Sequence, residues 1–352
     1  FNALVKLYNA NDSVVASKTL FANLKNAAET LNGLIGESHA AAATKTQAQT
    51  LAETVLEHVE NCDITNANVL ELQKQLAMMR TKLAIPEGTA TDTDPQDLTN
   101  AIQTPNFDKA GANSIEGWQG ATGYNFGNDD TQKSALAVEF FSRENVDLYQ
   151  EIEGLPNGTY AVTMDGFYRM GDGVEDYKAY KANAKSGNAF LYAVSGNVTS
   201  SVPLAHLAAG GYTEDQGYSG TAAIDTDNGG KLYVPNDIVS ASNYFNAGRY
   251  SNTVIVKVTD GKLRLGVKKD KKLTSDWVIM DSFKLLYYGE SSTKTPNGDA
   301  TGIDQINTNG EAKLVEVYNL NGVRLNALQR GVNIVKMKTA DGKTFVKKVI
   351  VK

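Results

Sequence analysis

The stretch 146–169, VDLYQEIEGLPNGTYAVTMDGFYR, carries the strongest structural signal in the sequence. Apolar and polar residues alternate through both of its halves, which is the two-residue period of a β-strand with one buried face. Asn157 and Gly158 stand between the halves, and this dipeptide supplies the positive φ angles of a tight hairpin turn. The sequence therefore predicts two strands joined as a hairpin, with a central sheet built around them.

Strand-like alternation continues from residue 104 to residue 289. Further predicted strands cover 106–107, 134–141, 188–194, 253–258, 262–267 and 278–288. Many strands separated by Gly, Asn and Asp turns are typical of a two-sheet β-sandwich. The Gly- and Tyr-bearing stretches 170–187 and 210–250 are predicted to be loops, and loops of that length often carry function.

The first 85 residues show a helical period instead. Three apolar stripes recur at spacings of three and four residues: Leu20, Leu24, Ala27, Leu31 and Leu34; Ala48, Leu51, Val55, Val59 and Cys62; Val69, Leu72, Leu76, Met79 and Leu83. Asp63 or Thr65 is placed to cap the third helix, and Cys62 is predicted to be a small buried residue on the second. Three amphipathic helices with short connections predict an antiparallel bundle.

Two polar stretches without periodicity divide the chain into modules. We predict a helical bundle at 1–85, a linker at 86–103, a β-sandwich at 104–289, a linker at 290–301 and a small all-β domain at 302–352. The last module has predicted strands at 313–320, 332–338 and 344–351, with turns at Asn321-Gly322 and Asp341-Gly342. The predicted fold class is multidomain α + β.

Composition excludes several functional classes. The net charge is −6 and the one basic cluster, 268–272, is short, which argues against nucleic acid as a partner. A single cysteine allows neither an intrachain disulfide nor a cysteine metal cage. No apolar run reaches the roughly 20 residues of a membrane-spanning helix. The chain begins at Phe1 without Met, as expected of an export-processed or trimmed chain.

Catalytic motifs are also missing from the sequence. The histidines are His39, His58 and His206, and neither a GxSxG nor an HExxH pattern occurs. The sequence therefore favours a protein that is not an enzyme. A pair of facing carboxylates needs no fixed spacing, so a glycoside hydrolase or another hydrolase stays open as the less favoured alternative.

The middle of the chain resembles the galactose-binding-like jelly rolls that occur as carbohydrate-binding modules in secreted bacterial proteins. The pieces that carry the resemblance follow the expected order: TPNFD at 104–108, GW at 117–118, AVEFF at 137–141, LYQ at 148–150, GFYR at 166–169, AFLY at 189–192, GKLRLG at 261–266 and WVIMDSFKL at 277–285. The resemblance implies a jelly-roll sandwich that binds glycans. It also implies a structural calcium ion held by Asp108 and Asp281; the alternative is that Asp281 accepts hydrogen bonds from the backbone or an arginine.

Sugar rings are bound by aromatic platforms flanked by polar and charged hydrogen-bonding groups. The predicted loops offer such groups, and the candidate ligand-binding residues are Trp118, Tyr124, Arg169, Asp172, Tyr177, Tyr212, Tyr244 and Arg249. The alternative for each aromatic residue is that it packs a long loop against the sandwich. We therefore hypothesise binding of a polysaccharide or glycoprotein glycan, with a structural or adhesive surface protein that binds another protein as the alternative.

The tail resembles the C-terminal sorting domains of type IX secretion substrates. The matching pieces are VYNLNG at 317–322, LQRGVNI at 328–334 and KKVIVK at 347–352. This resemblance implies a secreted protein or one on the cell surface, at the exterior of the outer membrane with attachment to the cell envelope. The periplasm is the alternative location.

Overall fold

The structure is a computed structural model that describes residues 2–120, 122–184, 187–298, 313–319, 324–325, 331–338 and 344–351. The chain divides into two compact units, Phe1–Gly298 and Asp299–Lys352. The first unit contains a three-helix bundle and a sandwich of antiparallel sheets, and the second contains a small antiparallel sheet. The predicted fold class is therefore confirmed. Within the described ranges, no helix is both long and apolar enough to cross a bilayer.

The bundle consists of α1 (Asn2–Leu34), α2 (Ala42–Asn61) and α3 (Asn66–Leu83). The predicted stripes form its core, since Leu24, Val55, Val69 and Leu76 are all at most 2% exposed. Thr65 caps α3 through a reciprocal capping box, with its side chain accepting from the backbone N–H of Asn68. This arrangement confirms the predicted cap and satisfies N–H groups that the helix itself leaves unpaired.

The end of α2 differs from the prediction. Cys62 is exposed, although the stripe predicted it to be buried. The helix ends at Asn61, and Cys62 adopts the left-handed conformation (φ 51°) that turns the chain away from the bundle. The apolar stripe therefore stops at Val59, whose carbonyl accepts a weak hydrogen bond from Cys62 Sγ at 3.5 Å.

The strands of the first unit are β1 (Gln96–Asp97), β2 (Asp108–Lys109), β3 (Ala112–Asn113), β4 (Val138–Phe141), β5 (Val146–Glu153), β6 (Gly158–Arg169), β7 (Ala189–Ser195), β8 (Val198–Pro203), β9 (Ala205–His206), β10 (Thr221–Asp225), β11 (Lys231–Pro235), β12 (Ser251–Val258), β13 (Lys262–Lys269) and β14 (Trp277–Tyr287). One sheet has the order β1-β14-β6-β12, with β4 added on β14 and β9 parallel to β6. The facing sheet has the order β5-β13-β7-β8. Leu148, Val162, Leu265 and Met280 belong to the core between them and are at most 1% exposed.

The predicted hairpin is wrong, although both of its strands exist. β5 pairs with β13 and β6 pairs with β12 and β14, so the two strands belong to opposite sheets. Asn157 lacks the positive φ of a two-residue hairpin, whereas Gly154 and Gly158 adopt values of 85° and 143°. The connection between β5 and β6 is instead hydrogen-bonded to Gly261, the residue before β13. Leu155 N donates to Gly261 O, and Gly261 N donates to Asn157 Oδ1, both at 3.1 Å.

The stretches predicted as long loops contain regular structure, which corrects that prediction. They hold α5 (Gly173–Lys181), the β10–β11 hairpin and α6 (Ile238–Asn246); a short helix, α4 (Asp130–Lys133), precedes β4. Both α5 and α6 begin at capping boxes, headed by Asp172 and Asp237. Their apolar residues pack on the outer face of the first sheet, where Phe167 and Ile279 form a second core with Tyr244.

Arg80 of α3 connects the bundle to the sandwich. Its Nη1 donates to the carbonyl of Ala101 at 3.2 Å, and its Nη2 donates to the carbonyl of Ile102 at 3.0 Å. Burial lowers the pKa of Arg80 to about 10. The two carbonyls lie just after β1, the first strand of the sandwich, so these hydrogen bonds tie α3 to the sandwich.

The second unit is one sheet with the order β16-β15-β17-β18, built from β15 (Lys313–Tyr318), β16 (Arg324–Leu325), β17 (Gly331–Lys338) and β18 (Thr344–Val351). Glu316 accepts a hydrogen bond from Tyr318 Oη at 2.9 Å and forms ion pairs with Arg324 and Lys336. The predicted turns at 321–322 and 341–342 lie outside the described residues.

Candidate functional site

A cleft of about 520 Å³ opens at the end of the first sheet, where β4 and β6 end and β14 begins. The strand register places Trp277 opposite both Phe141 and Arg169, so these three side chains stand side by side on one face. The remaining walls come from the turns before β4 and from the start of α6. The lining residues are Gly123, Asn125, Asn128, Gln132, Glu139, Phe141, Arg143, Arg169, Asn236, Asp237, Ile238 and Trp277.

Arg169 is held at the base of the cleft. Its Nε donates to Gly171 O at 3.2 Å, Nη1 to Asn236 Oδ1 at 3.2 Å and Nη2 to Ser275 O at 3.0 Å. The guanidinium carbon lies 5.2 Å from the ring centre of Trp277, within the range of a cation–π contact. Burial lowers the pKa of Arg169. A guanidinium has five N–H groups, so these three bonds fix its position and leave donors for a ligand.

Glu139 supplies a hydrogen-bond acceptor in the same cleft in which Arg169 supplies donors. Its Oε2 accepts from the indole N–H of Trp277 at 2.7 Å, and its Oε1 accepts from Asn125 Nδ2 at 3.2 Å. Burial raises the pKa of Glu139, while these two hydrogen bonds and the charge of Arg169 act against that shift. Asp237, the capping residue of α6, is close enough to contribute to the raised value. The cleft therefore presents a fixed acceptor beside a fixed donor.

Phe141 is the exposed aromatic residue of the site. It is 53% exposed at the end of β4, and the guanidinium carbon of Arg169 lies 5.9 Å from its ring centre. Arg143 is also exposed, and the amides of Asn128 and Gln132 belong to the same wall. An apolar ring surrounded by amides, carboxylates and guanidinium groups can bind a ligand that has both C–H faces and hydroxyl groups.

Among the residues predicted to bind ligand, only Arg169 lines this cleft. Trp118 is 6% exposed and packs between Phe107 and Phe283, with its ring centre 5.1 and 4.7 Å from theirs. Its indole N–H donates to Thr104 O at 3.2 Å. Tyr124 is half-buried and lies against the inter-sheet core. Trp118 and Arg169 therefore do not form a shared groove.

Asp172 and Tyr177 both belong to α5. Asp172 caps the helix, with Oδ1 accepting from the backbone N–H groups of Val174 and Glu175. Tyr177 is 8% exposed in the second core. Neither residue lines the cleft, and their roles as ligand-binding residues stay predictions.

The structure does bring together Tyr212, Tyr244 and Arg249. Tyr244 is fully buried, and its Oη donates to Tyr233 O at 2.8 Å. The ring centres of Tyr212 and Tyr244 are 5.1 Å apart, and the guanidinium carbon of Arg249 lies 4.0 Å from the ring centre of Tyr212. This group lies toward the other end of α6 from the cleft and is not part of its lining.

Sequence reasoning missed Phe141, Glu139 and Trp277 as ligand candidates. All three lie in predicted strands or at their ends, where the pattern favours a place in the core or at its rim for Trp277 and marks none of them as a ligand-binding residue. Placing β14 between β4 and β6 would have aligned the ends of these strands and brought the three residues to Arg169. That strand order depends on pairings between distant parts of the chain, which a single sequence does not display.

Asp108 and Asp281, the pair implied to hold calcium, have separate local partners. Asp108 Oδ1 accepts from Gly111 N at 2.7 Å within its own turn. Asp281 pairs with Asp165 on β6, and a bulge after it places Ile279 and Phe283 in different cores. A regular strand would place Ile279, Asp281 and Phe283 on one face, and the bulge breaks that alternation. The described residues contain no group of three or more His, Cys, Asp or Glu side chains suited to a metal ion, so the calcium site stays a prediction.

No protein-family model matches the chain, and no curated protein matches it. Two solved structures are similar over about half of it. One is TmCBM61 in complex with β-1,4-galactotriose, with 16% identity, a TM-score of 0.29, and coverage of 53% of this chain and 97% of that one. The other is a putative sugar binding protein from Bacteroides thetaiotaomicron VPI-5482, with 15% identity, a TM-score of 0.21, and coverage of 52% and 92%.

Proposed function

We propose that the chain binds glycans without cleaving them, through the cleft that contains Phe141, Trp277 and Arg169. The observation that carries the proposal is the alignment of these three residues across β4, β14 and β6, with Phe141 exposed and Arg169 fixed. A pyranose ring has an apolar face that suits Phe141 and hydroxyl groups that suit the donors of Arg169 and the acceptor of Glu139. The sequence resemblance to carbohydrate-binding modules and the two sugar-related structural matches agree with this function.

The direct test is a binding screen of the full chain against plant, host and microbial polysaccharides, with β-1,4-galactotriose included, followed by calorimetry. We expect Phe141→Ala to weaken binding about tenfold, since loss of a stacking ring costs about 1 kcal/mol or slightly more. Tyr180→Ala is the matched control, because Tyr180 is another exposed aromatic residue (43%) outside the cleft. Absence of binding across the panel, or equal affinities for Phe141→Ala and wild type, would contradict the proposal.

One observation favours a second candidate, a glycoside hydrolase: two carboxylates, Glu139 and Asp237, line the same cleft. Burial raises the pKa of Glu139, as it does for carboxyl groups that act as general acids. Asp237, however, accepts from Ser240 N at 2.8 Å as a helix cap. Release of reducing ends from a bound polysaccharide by wild type, lost in Glu139→Gln and Asp237→Asn, would favour the hydrolase; binding without release favours the proposal.

We also propose that the protein acts outside the cytoplasm, at the cell surface or in secreted form, with the bundle as a spacer. The support is the resemblance of the tail to type IX sorting domains. Fractionation of expressing cells tests this location, since surface exposure should make the chain accessible to protease added to intact cells. Recovery only from the periplasm would favour the alternative location.

A further inference from the structure

We propose that the glycan site continues from the cleft along α6 to a second group of residues, Tyr212, Tyr218 and Arg249, so that the ligand is an extended chain and not a single terminal sugar. This inference rests on the proposed function. We call this second group the tyrosine subsite.

Helix α6 contributes residues to both the cleft and the tyrosine subsite. Its cap Asp237 and first residue Ile238 line the cleft, and Tyr244 supports the tyrosine subsite from below. Ile238 and Tyr244 are six positions apart, so at 1.5 Å per residue they are separated by about 9 Å along the helix axis. That separation is longer than one pyranose ring, so a single sugar cannot reach both places.

The turn at Gly220 connects Tyr218 of the tyrosine subsite with the wall of the cleft. The carbonyl of Gly220 accepts from Asn236 N at 3.0 Å and from Ser240 Oγ at 2.9 Å, which fixes the turn to the start of α6. A Cβ at this position would collide with the carboxylate of Asp237, so Gly220 borders the cleft wall directly. Tyr218 comes two residues earlier, and two trans peptides span at most about 7.6 Å. Tyr218 therefore lies close to the edge of the cleft.

Contacts within the chain hold the residues of the tyrosine subsite in place. Tyr218 and Tyr212 are half-buried, and their rings meet the buried ring of Tyr244 edge-on at 5.6 and 5.1 Å. Tyr212 is bridged to Tyr233 through two backbone hydrogen bonds, and Arg249 stacks over its ring. In the described part of the chain, the guanidinium group of Arg249 has no hydrogen-bond or ion-pair partner. Its N–H groups are therefore available to ligand hydroxyls, at a small entropic cost.

The test is the dependence of affinity on ligand length, measured by calorimetry on the full chain with β-1,4-linked galacto-, xylo- and manno-oligosaccharides of two to six units. We expect wild type to bind longer members more tightly. Tyr218→Ala and Arg249→Gln should each lose that gain, about threefold to tenfold, while affinity for the disaccharide is unchanged. Phe141→Ala should weaken every length, because it alters the cleft itself. Tyr180→Ala is again the control, and melting temperatures check that each variant folds.

The outcomes separate the inference from the proposed function. Length-independent binding, or full length dependence in Tyr218→Ala and Arg249→Gln, would overturn the tyrosine subsite and leave glycan binding at the cleft intact. Equal weakening of every length by the Tyr218 and Arg249 variants would also overturn it, since those residues would then belong to one compact site. A wild-type chain that binds none of these oligosaccharides and no polysaccharide of the wider panel would overturn both.

Discussion

His206 of β9 and Asp176 of α5 form a hydrogen-bonded ion pair. His206 Nδ1 lies 2.9 Å from Asp176 Oδ1, and its Nε2 lies 2.7 Å from the carbonyl oxygen of Ala184. Both neighbouring atoms are acceptors, and a doubly protonated imidazole satisfies both contacts. Asp176 is fully buried and also accepts from Met170 N and Ala208 N. The pair thus fixes the turn that follows Arg169.

This ion pair predicts a pH-dependent stability. Hydrogen bonding to Asp176 raises the pKa of His206, so the stabilisation is complete below the unfolded histidine pKa, near 6.5, and is lost as pH rises through the folded-state value. We expect His206→Gln to lower the free energy of unfolding by about 1.5–3 kcal/mol at pH 6 and by less at pH 9. Urea denaturation of both proteins across this range measures it, and a difference that does not change with pH would contradict the pairing.

A second buried ion pair, Lys269 with Asp276, predicts a large and asymmetric effect of substitution. Both side chains are fully buried, with Nζ 2.7 Å from Oδ2, and Leu273 N also donates to that oxygen. Lys269→Met leaves a buried carboxylate unpaired, so we expect a loss of about 3–5 kcal/mol. Adding Asp276→Asn should restore part of this loss, because the charge is removed and an amide oxygen still accepts from Leu273.

The exposed pair of Lys262 with Glu153 is the control for that experiment. Its N–O distance is 2.9 Å, but the lysine side chain is 58% exposed. Lys262→Met should change the unfolding free energy by no more than about 1 kcal/mol, since water screens such pairs. Equal losses for Lys269→Met and Lys262→Met would show that burial is not what sets the energy of the Lys269 pair.

Local patterns allowed much of the fold to be predicted. The stripe with Val69 and Leu76 and the cap at Thr65 are short-range features, and they placed α3 correctly. The alternation around Val162 placed β6 correctly but not its partners, because pairing with β12 and β14 depends on residues far away in the chain. The cap at Asp172 was present in the sequence, yet the abundance of Gly and Tyr around it favoured a loop.

The candidate site was predictable only in part for the same reason. Arg169 could be found because it ends a clear strand, next to a stretch with several Tyr residues. Phe141 and Trp277 looked like ordinary strand residues, and their significance appears only when β14 lies between β4 and β6. Trp118 looked like a ligand platform, but the three-dimensional contacts of Phe107 and Phe283 bury it.

Asp281 predicts a second pH effect, because the burial of its carboxyl group outweighs the hydrogen bonds that Ser282 supplies. Its Oδ1 is buried and has no hydrogen-bond partner, and burial raises its pKa to about 7, with Asp165 adding to the shift. The folded chain therefore loses stability as pH rises from the unfolded value, near 3.9, through about 7. We expect Asp281→Asn to be more stable than wild type at pH 8, by about 2–4 kcal/mol, and the difference to shrink at pH 5. Thermal melts at both values test this, with exposed Asp270→Asn as the control.

The two tryptophans give an optical test of where the ligand binds. Trp277 lines the cleft and donates its indole N–H to Glu139, whereas Trp118 is enclosed by Phe107 and Phe283. A glycan in the cleft changes the surroundings of Trp277 alone, so we expect ligand to alter the fluorescence of Trp118→Phe as it alters that of wild type. Trp277→Phe should lose the change, and its binding should be followed by calorimetry. A ligand-induced change that persists in Trp277→Phe and disappears in Trp118→Phe would move the binding site to the part of the sandwich around Trp118.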